Sequence, residues 1–301
     1  MTEPIDDEKA QRDLARAEAF PKSFKTKLEL DPQFRAQMTE MAGRVALAML
    51  QIREQFQTVA INVANGLLAF QRTIGLAAEQ VAPILKSLLE GFRQLPEALR
   101  HAALALAQEG WFISPNMSLT EPVEAATLVL QGKSVEAEQL LAGYFGARLD
   151  EIESTLAAAL PQRAKLISSA FSAHREGRFE LAIPVLLAQT DGVCIDIAEG
   201  ALFMSERGRK KGDRRPGTAP FVEAFQNDAL WSALLSPLGQ ALPISFTEAE
   251  RGETFSGLNR HMVMHGESVD YGTKINSLKC ISLLSYATWV LRDSKSRGED
   301  V

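Results

Sequence analysis

What is scarce in this chain narrows the reading first. There are two cysteines in 301 residues, Cys194 and Cys280, far apart and with no CxxC spacing, so a disulfide framework or a CxxC site has nothing to build on. Aromatic residues make up 7%, and alternating runs of Val, Ile and Tyr, the signature of strands, are hard to find. No Walker A loop, GxSxG or GxGxxG is present. The N-terminus MTEPIDDEKAQRD is charged where a signal peptide would carry an apolar core, which gives the cytoplasm as the expected location. The longest uncharged run of the N-terminal third, QFQTVAINVANGLLAFQ (55–71), carries five Gln or Asn residues and falls short of the about 20 apolar residues a span requires, so no stable membrane span is expected. The net charge of -6 excludes a protein that coats nucleic acid with its whole surface, though not one with a local basic site.

Leucine and alanine dominate what is there, and hydrophobic residues reach 46%, enough for a sizeable core. The expected fold is all-α: an N-terminal long helical hairpin or coiled-coil region followed by a helical-bundle domain. Residues 1–30 form a polar lead-in. Residues 31–108 form the hairpin region, in which Val45, Met49, Ile52, Phe56, Val59 and Val63 step by four and three, the narrow seam that wants a partner helix. An intramolecular partner is offered by Ile74, Val81, Ile84, Leu88 and Phe92. Self-association is the second reading of the seam and membrane contact the third, since the opposite face mixes both charge signs.

Residues 109–296 form the helical domain. Helical patterns run over about 122–131, 134–144, 148–159, 161–175 and 178–204, with Asp191 and Gly192 reading as a cap. Helix is also expected over 221–242, 254–265 and 274–292; in the last of these Ile275, Leu278, Ile281, Leu284 or Tyr286, and Trp289 make a buried face. Cys194, between Val193 and Ile195, reads as a small core residue. His174 and Arg175 read as a polar patch before a helix break. The segment ERGRKKGDRRPGTAP (206–220) is a loop by its glycine and proline. Its Arg207, Arg209, Lys210, Lys211, Arg214 and Arg215 are either a solvated surface or an arm that grips phosphates.

The chain has four histidines, and two of them lie in LNRHMVMHGESVDYGT (258–273). In a helix His261 and His265 share a face, whereas Arg260 and His265, five apart, stand about 140° apart around the axis and do not converge on one small ligand. Gly266 is placed to end the helix in the left-handed conformation. HMVMH lacks the glutamate of HExxH, so a metal site would need Glu267 or Asp270 as a further ligand.

Arg260, the polar His261 after it, and His265 followed by Gly266 resemble the R-x4-6-H motif of the HEPN superfamily, all-helical proteins that include many metal-independent ribonucleases. The resemblance implies an endoribonuclease that needs neither metal nor cofactor, in a stress or phage-defence setting. It implies Arg260 as phosphate clamp, His265 as general acid or base and His261 as a second proton carrier or orienting group. Family members commonly pair so that two motifs face one groove, which implies a homodimer. A restraining antitoxin or regulatory protein would suit such an activity, and the sequence identifies none. A subset of the family carries tyrosine two positions after the histidine, and this chain departs from it with Glu267. A non-catalytic helical module binding RNA, nucleotide or a protein partner is the other reading of the same fold.

Overall fold

The computed structural model describes residues 93–118, 120–204, 215–252 and 255–298. The lead-in and the seam from Val45 to Val63 with its partner face lie outside the described residues, as do Arg207, Arg209, Lys210, Lys211 and Arg214. Among the described residues there are helices and no strand, the all-α class expected. The helices are α1 (93–108), α2 (Thr120–Leu130), α3 (Ser134–Ala147), α4 (Leu149–Ala159), α5 (Ala164–Arg175) and α6 (Phe179–Ala198). After these come α7 (Ala219–Ala224), α8 (Ala229–Leu235), 3-10 turns at Ser236–Gly239 and Pro243–Ser245, α9 (Arg260–Met264) and α10 (Lys274–Gly298).

Two helices organise the rest. α10 is buried all round rather than on one face: Leu278, Cys280, Ile281, Leu283, Leu284, Tyr286, Ala287, Val290 and Leu291 are all sealed. Such a helix belongs at the centre of a bundle. It packs most extensively along α6, and also meets α3, α4 and α8. α6 in turn packs on α5 and touches α9. By length and composition α6 is, among the described residues, the one helix apolar enough to cross a membrane, yet Ala182, Ile183, Leu186, Leu187, Val193 and Cys194 are closed inside the bundle. That placement is compatible with the absence of a stable span. Each buried Leu or Ile side chain contributes roughly 1.5–3 kcal/mol.

α1 adds Leu99, Ala102, Ala103, Leu106 and Ala107 to the buried residues, so the stretch up to residue 108, assigned from sequence to the hairpin region, supplies side chains to the core that holds α6 and α10. Trp111 follows, its ring stacked 5.8 Å from Phe145 and overlaid by the Lys279 ammonium at 5.7 Å. Lys279 also reaches Glu138 at 2.9 Å, which ties α10 to α3. The Tyr286 hydroxyl, deep in the bundle, donates to the Leu234 carbonyl and fixes α8 against α10. Cys194 and Cys280 are both free and buried, Cys194 as expected, and burial pushes both thiols well above their ordinary range.

Three local expectations change. The stretch 221–242 is not one helix: Asp228 accepts the Leu230 and Trp231 amides as an N-cap, and restarts the chain as α8 after α7 has ended. Gly192 does not end α6, which continues to Ala198. It is glycine because the Arg163 guanidinium lies where its Cβ would stand, Nη1 being 2.4 Å from that point, while Arg163 bonds Asp196 at 2.7 Å and Gln189 at 3.0 Å.

The third is His174, which is a core residue and not a surface patch. It is 4% exposed, its Nδ1 lies 2.7 Å from Ser277 Oγ, and its ring meets Phe179 edge-on. Arg175 beside it turns outward to Asp150 and Glu153. Burial, reinforced by Lys274 and Arg175, lowers the His174 pKa from 6.5 to about 4. The folded chain therefore resists a proton that the unfolded chain accepts below about pH 6.5. The stability this contributes is complete above that pH and is lost as pH falls toward 4, at most about 3 kcal/mol. Urea unfolding at pH 7 and pH 4.5 is expected to show this decline in the wild type and a smaller one in His174→Gln; equal declines would acquit the histidine.

Candidate functional site

The motif occupies α9, a single turn, instead of the end of a helix over 254–265. Asn259 explains where that turn starts. It is 1% exposed and extended, and its Oδ1 accepts the Met262 amide at 3.1 Å as an N-cap. Its Nδ2 donates to the carbonyls of Pro243 at 2.8 Å and Phe246 at 2.9 Å. One buried amide thus starts α9 and pins it to the preceding 3-10 turn, and all its principal hydrogen-bonding capacity is used. The sequence signal for this capping role is the asparagine's position directly before a helical run.

Gly266 adopts φ +73, as expected for the residue that ends this turn, and the Glu267 amide closes back on the Met262 carbonyl at 2.9 Å. A second clamp spans the motif. Arg251, whose side chain is 8% exposed, pairs with Glu267 at 2.9 Å, joining the chain before α9 to the chain after it. Asp270 accepts from Ser268 at 2.9 Å. Glu267 and Asp270, one of which a metal site on the histidine pair would need, each have another partner, and among the described residues no three His, Cys, Asp or Glu side chains are grouped to hold an ion.

The predicted site residues divide into two groups. His261 and His265 come together: their rings are parallel within 3°, with centroids 6.1 Å apart. His265, just past the helix, is exposed, and its amide donates to the His261 carbonyl at 2.9 Å. Arg260 opens the turn and stands half-buried. Its guanidinium lies 5.9 Å from the centroid of the Phe203 ring, a cation–π contact with a fully buried aromatic. No carboxylate among the described residues forms an ion pair with it. Arg100, Arg148, Arg163, Arg175, Arg178, Arg215 and Arg251 have acidic partners, and Arg292 is bonded to the Ala159 carbonyl, whereas Arg260 rests on a ring. Arg215, the one described member of the basic loop, pairs with Glu223.

Phe203 was not anticipated from sequence. It lies between the end of α6 and the basic segment, and the first described residues after that segment return to the same place: the Gly217 amide donates to the carbonyls of Ala201 at 2.9 Å and Met204 at 2.8 Å. The described residues on either side of the basic run therefore meet next to Phe203 in the chain. Compared with known proteins, the chain matches no family model, no curated protein and no solved structure.

Proposed function

We propose that this chain is a cytoplasmic, metal-independent endoribonuclease of the HEPN type that acts as a homodimer. The observation that carries the reading is an arginine without a carboxylate partner among the described residues, held on an aromatic ring in the same one-turn helix that ends at an exposed, histidine-flanked imidazole. A guanidinium in that condition is available to phosphate oxygens, which it can grip with two parallel N–H donors. In the reaction the 2′-oxygen of RNA attacks the adjacent phosphorus and the bond to the 5′-oxygen breaks, leaving a 2′,3′-cyclic phosphate and a 5′-hydroxyl. Arg260 offsets the charge that grows on the phosphoryl oxygens. His265 protonates the leaving 5′-oxygen, and His261 or its symmetry mate takes the proton of the 2′-hydroxyl. Arg260 at the start of α9 and His265 just past its end are five residues apart, so the proposal joins Arg260 of one copy to His265 of the other across a two-fold axis.

The same separation favours a second reading, in which the arginine anchors RNA, nucleotide or an acidic protein partner and no bond is cleaved. An RNA degradation assay in EDTA separates the two. Cleavage by the wild type and none by Arg260→Ala or His265→Ala supports the nuclease; equal background from all three leaves a binding module; and loss of wild-type cleavage on adding EDTA removes the metal-independent reading.

A further inference from the structure

We infer that Asp191 is a positioning residue for Arg260, acting through Phe203; the inference rests on Arg260 being the anion clamp of the proposed site. α6 stops at Ala198, and Glu199 takes φ +56, the one positive value found for a non-glycine residue among those described. The chain must then double back over 200–204, and something has to fix where it lies.

Asp191, two turns back on α6, does so: its Oδ1 accepts the Phe203 amide at 3.2 Å. An aspartate in the body of a helix ordinarily faces water. Here its carboxylate is spent on a main-chain donor of another segment, a charge-assisted bond that holds the backbone of Phe203 in place. The ring of Phe203, 0% exposed, is fixed by the core on its other sides and offers Arg260 its face. The route from α6 to the guanidinium is thus one hydrogen bond and one ring contact. It also explains a division of labour: an aspartate that paired directly with Arg260 would neutralise it, whereas one that holds the supporting ring leaves the positive charge free for a ligand. Asn259 sets the start of α9, and Asp191 sets the surface on which its first side chain rests.

The test uses the full chain, 15N-labelled, and reads the Arg260 side-chain Nε–H resonance, which the Phe203 ring current displaces. Asp191→Ala and Phe203→Leu are expected to move that resonance. Asp191→Asn, which keeps an oxygen acceptor, is expected to leave it in place. In the RNA assay Asp191→Ala is expected to lower kcat roughly 10- to 100-fold, the penalty of a clamp displaced by about an ångström, with Asp191→Asn restoring most of it. If Asp191→Ala lowers the melting temperature while the Arg260 resonance stays put, the residue is merely structural and the inference falls. The resonance decides this even if the wild type cleaves no RNA: a shift in Asp191→Ala then upholds the positioning role, and only the nuclease reading is lost.

Discussion

Replacement of His265 by alanine is expected to reduce EDTA-resistant RNA cleavage by roughly 100- to 10,000-fold, the range a well-placed proton-transfer group supplies. The side chain is exposed at the end of α9, so its removal takes nothing out of the core. Urea unfolding should then agree with the wild type within about 0.5 kcal/mol, as for other surface substitutions. A large kinetic loss beside an unchanged unfolding curve is what distinguishes an acid from a brace. A hydrogen-bond donor that cannot shuttle protons at neutral pH, as in His265→Asn, should not rescue the rate. Full activity in His265→Ala would remove this residue from the chemistry and leave His261, whose ring lies parallel to it, as the histidine to examine.

Gly200→Ala is expected to destabilise the fold by more than about 3 kcal/mol, beyond the usual cost of overpacking. A methyl group there would stand 1.9 Å from the Gly217 carbonyl oxygen and 2.4 Å from its carbon. Both obstacles are backbone, and Gly217 is itself held by its bonds to Ala201 and Met204, so no rotamer change relieves the clash. Gly192→Ala makes the comparison. Its new methyl would meet the Arg163 guanidinium at 2.4 Å, but that is the far end of a flexible side chain that can swing away at the cost of its Asp196 and Gln189 bonds. A loss of about 1 kcal/mol is expected there. Urea midpoints of the two variants measured side by side test the distinction; similar midpoints would mean that the 200–217 crossing is not rigid.

The pattern of what could be read from the sequence follows from the range of each signal. Helix periodicity and proline or glycine punctuation act within a turn or two, and they located α2 to α5 and the starts of α6 and α10 closely, while the pattern of α6 ran on to 204 past its end at Ala198. Gly266 was readable because a left-handed stop depends on its neighbours alone. Gly192 misled for the converse reason. It looks like punctuation, but it is a slot for Arg163, a residue 29 positions earlier whose arrival no local rule announces. His174 likewise depends on Ser277, which comes from another helix 103 positions on, and without that partner the residue reads as polar surface. At the site, the four-residue spacing of His261 and His265 was enough to place them together. The support of Arg260 by Phe203, and of Phe203 by Asp191, was hidden because it crosses from α6 to α9 through a reversal of the chain. The one-turn length of α9 was hidden too, since it is set by the bonds of Asn259 to the carbonyls of residues 243 and 246.

The ion pair between Arg251 and Glu267 has a mutational corollary. Arg251 is nearly enclosed, so a tyrosine at position 267 would remove the carboxylate that pairs with its guanidinium among the described residues. The two positions are therefore expected to be coupled: replacing Glu267 alone should cost more than replacing it together with Arg251, because Arg251 is the more deeply enclosed member of the pair.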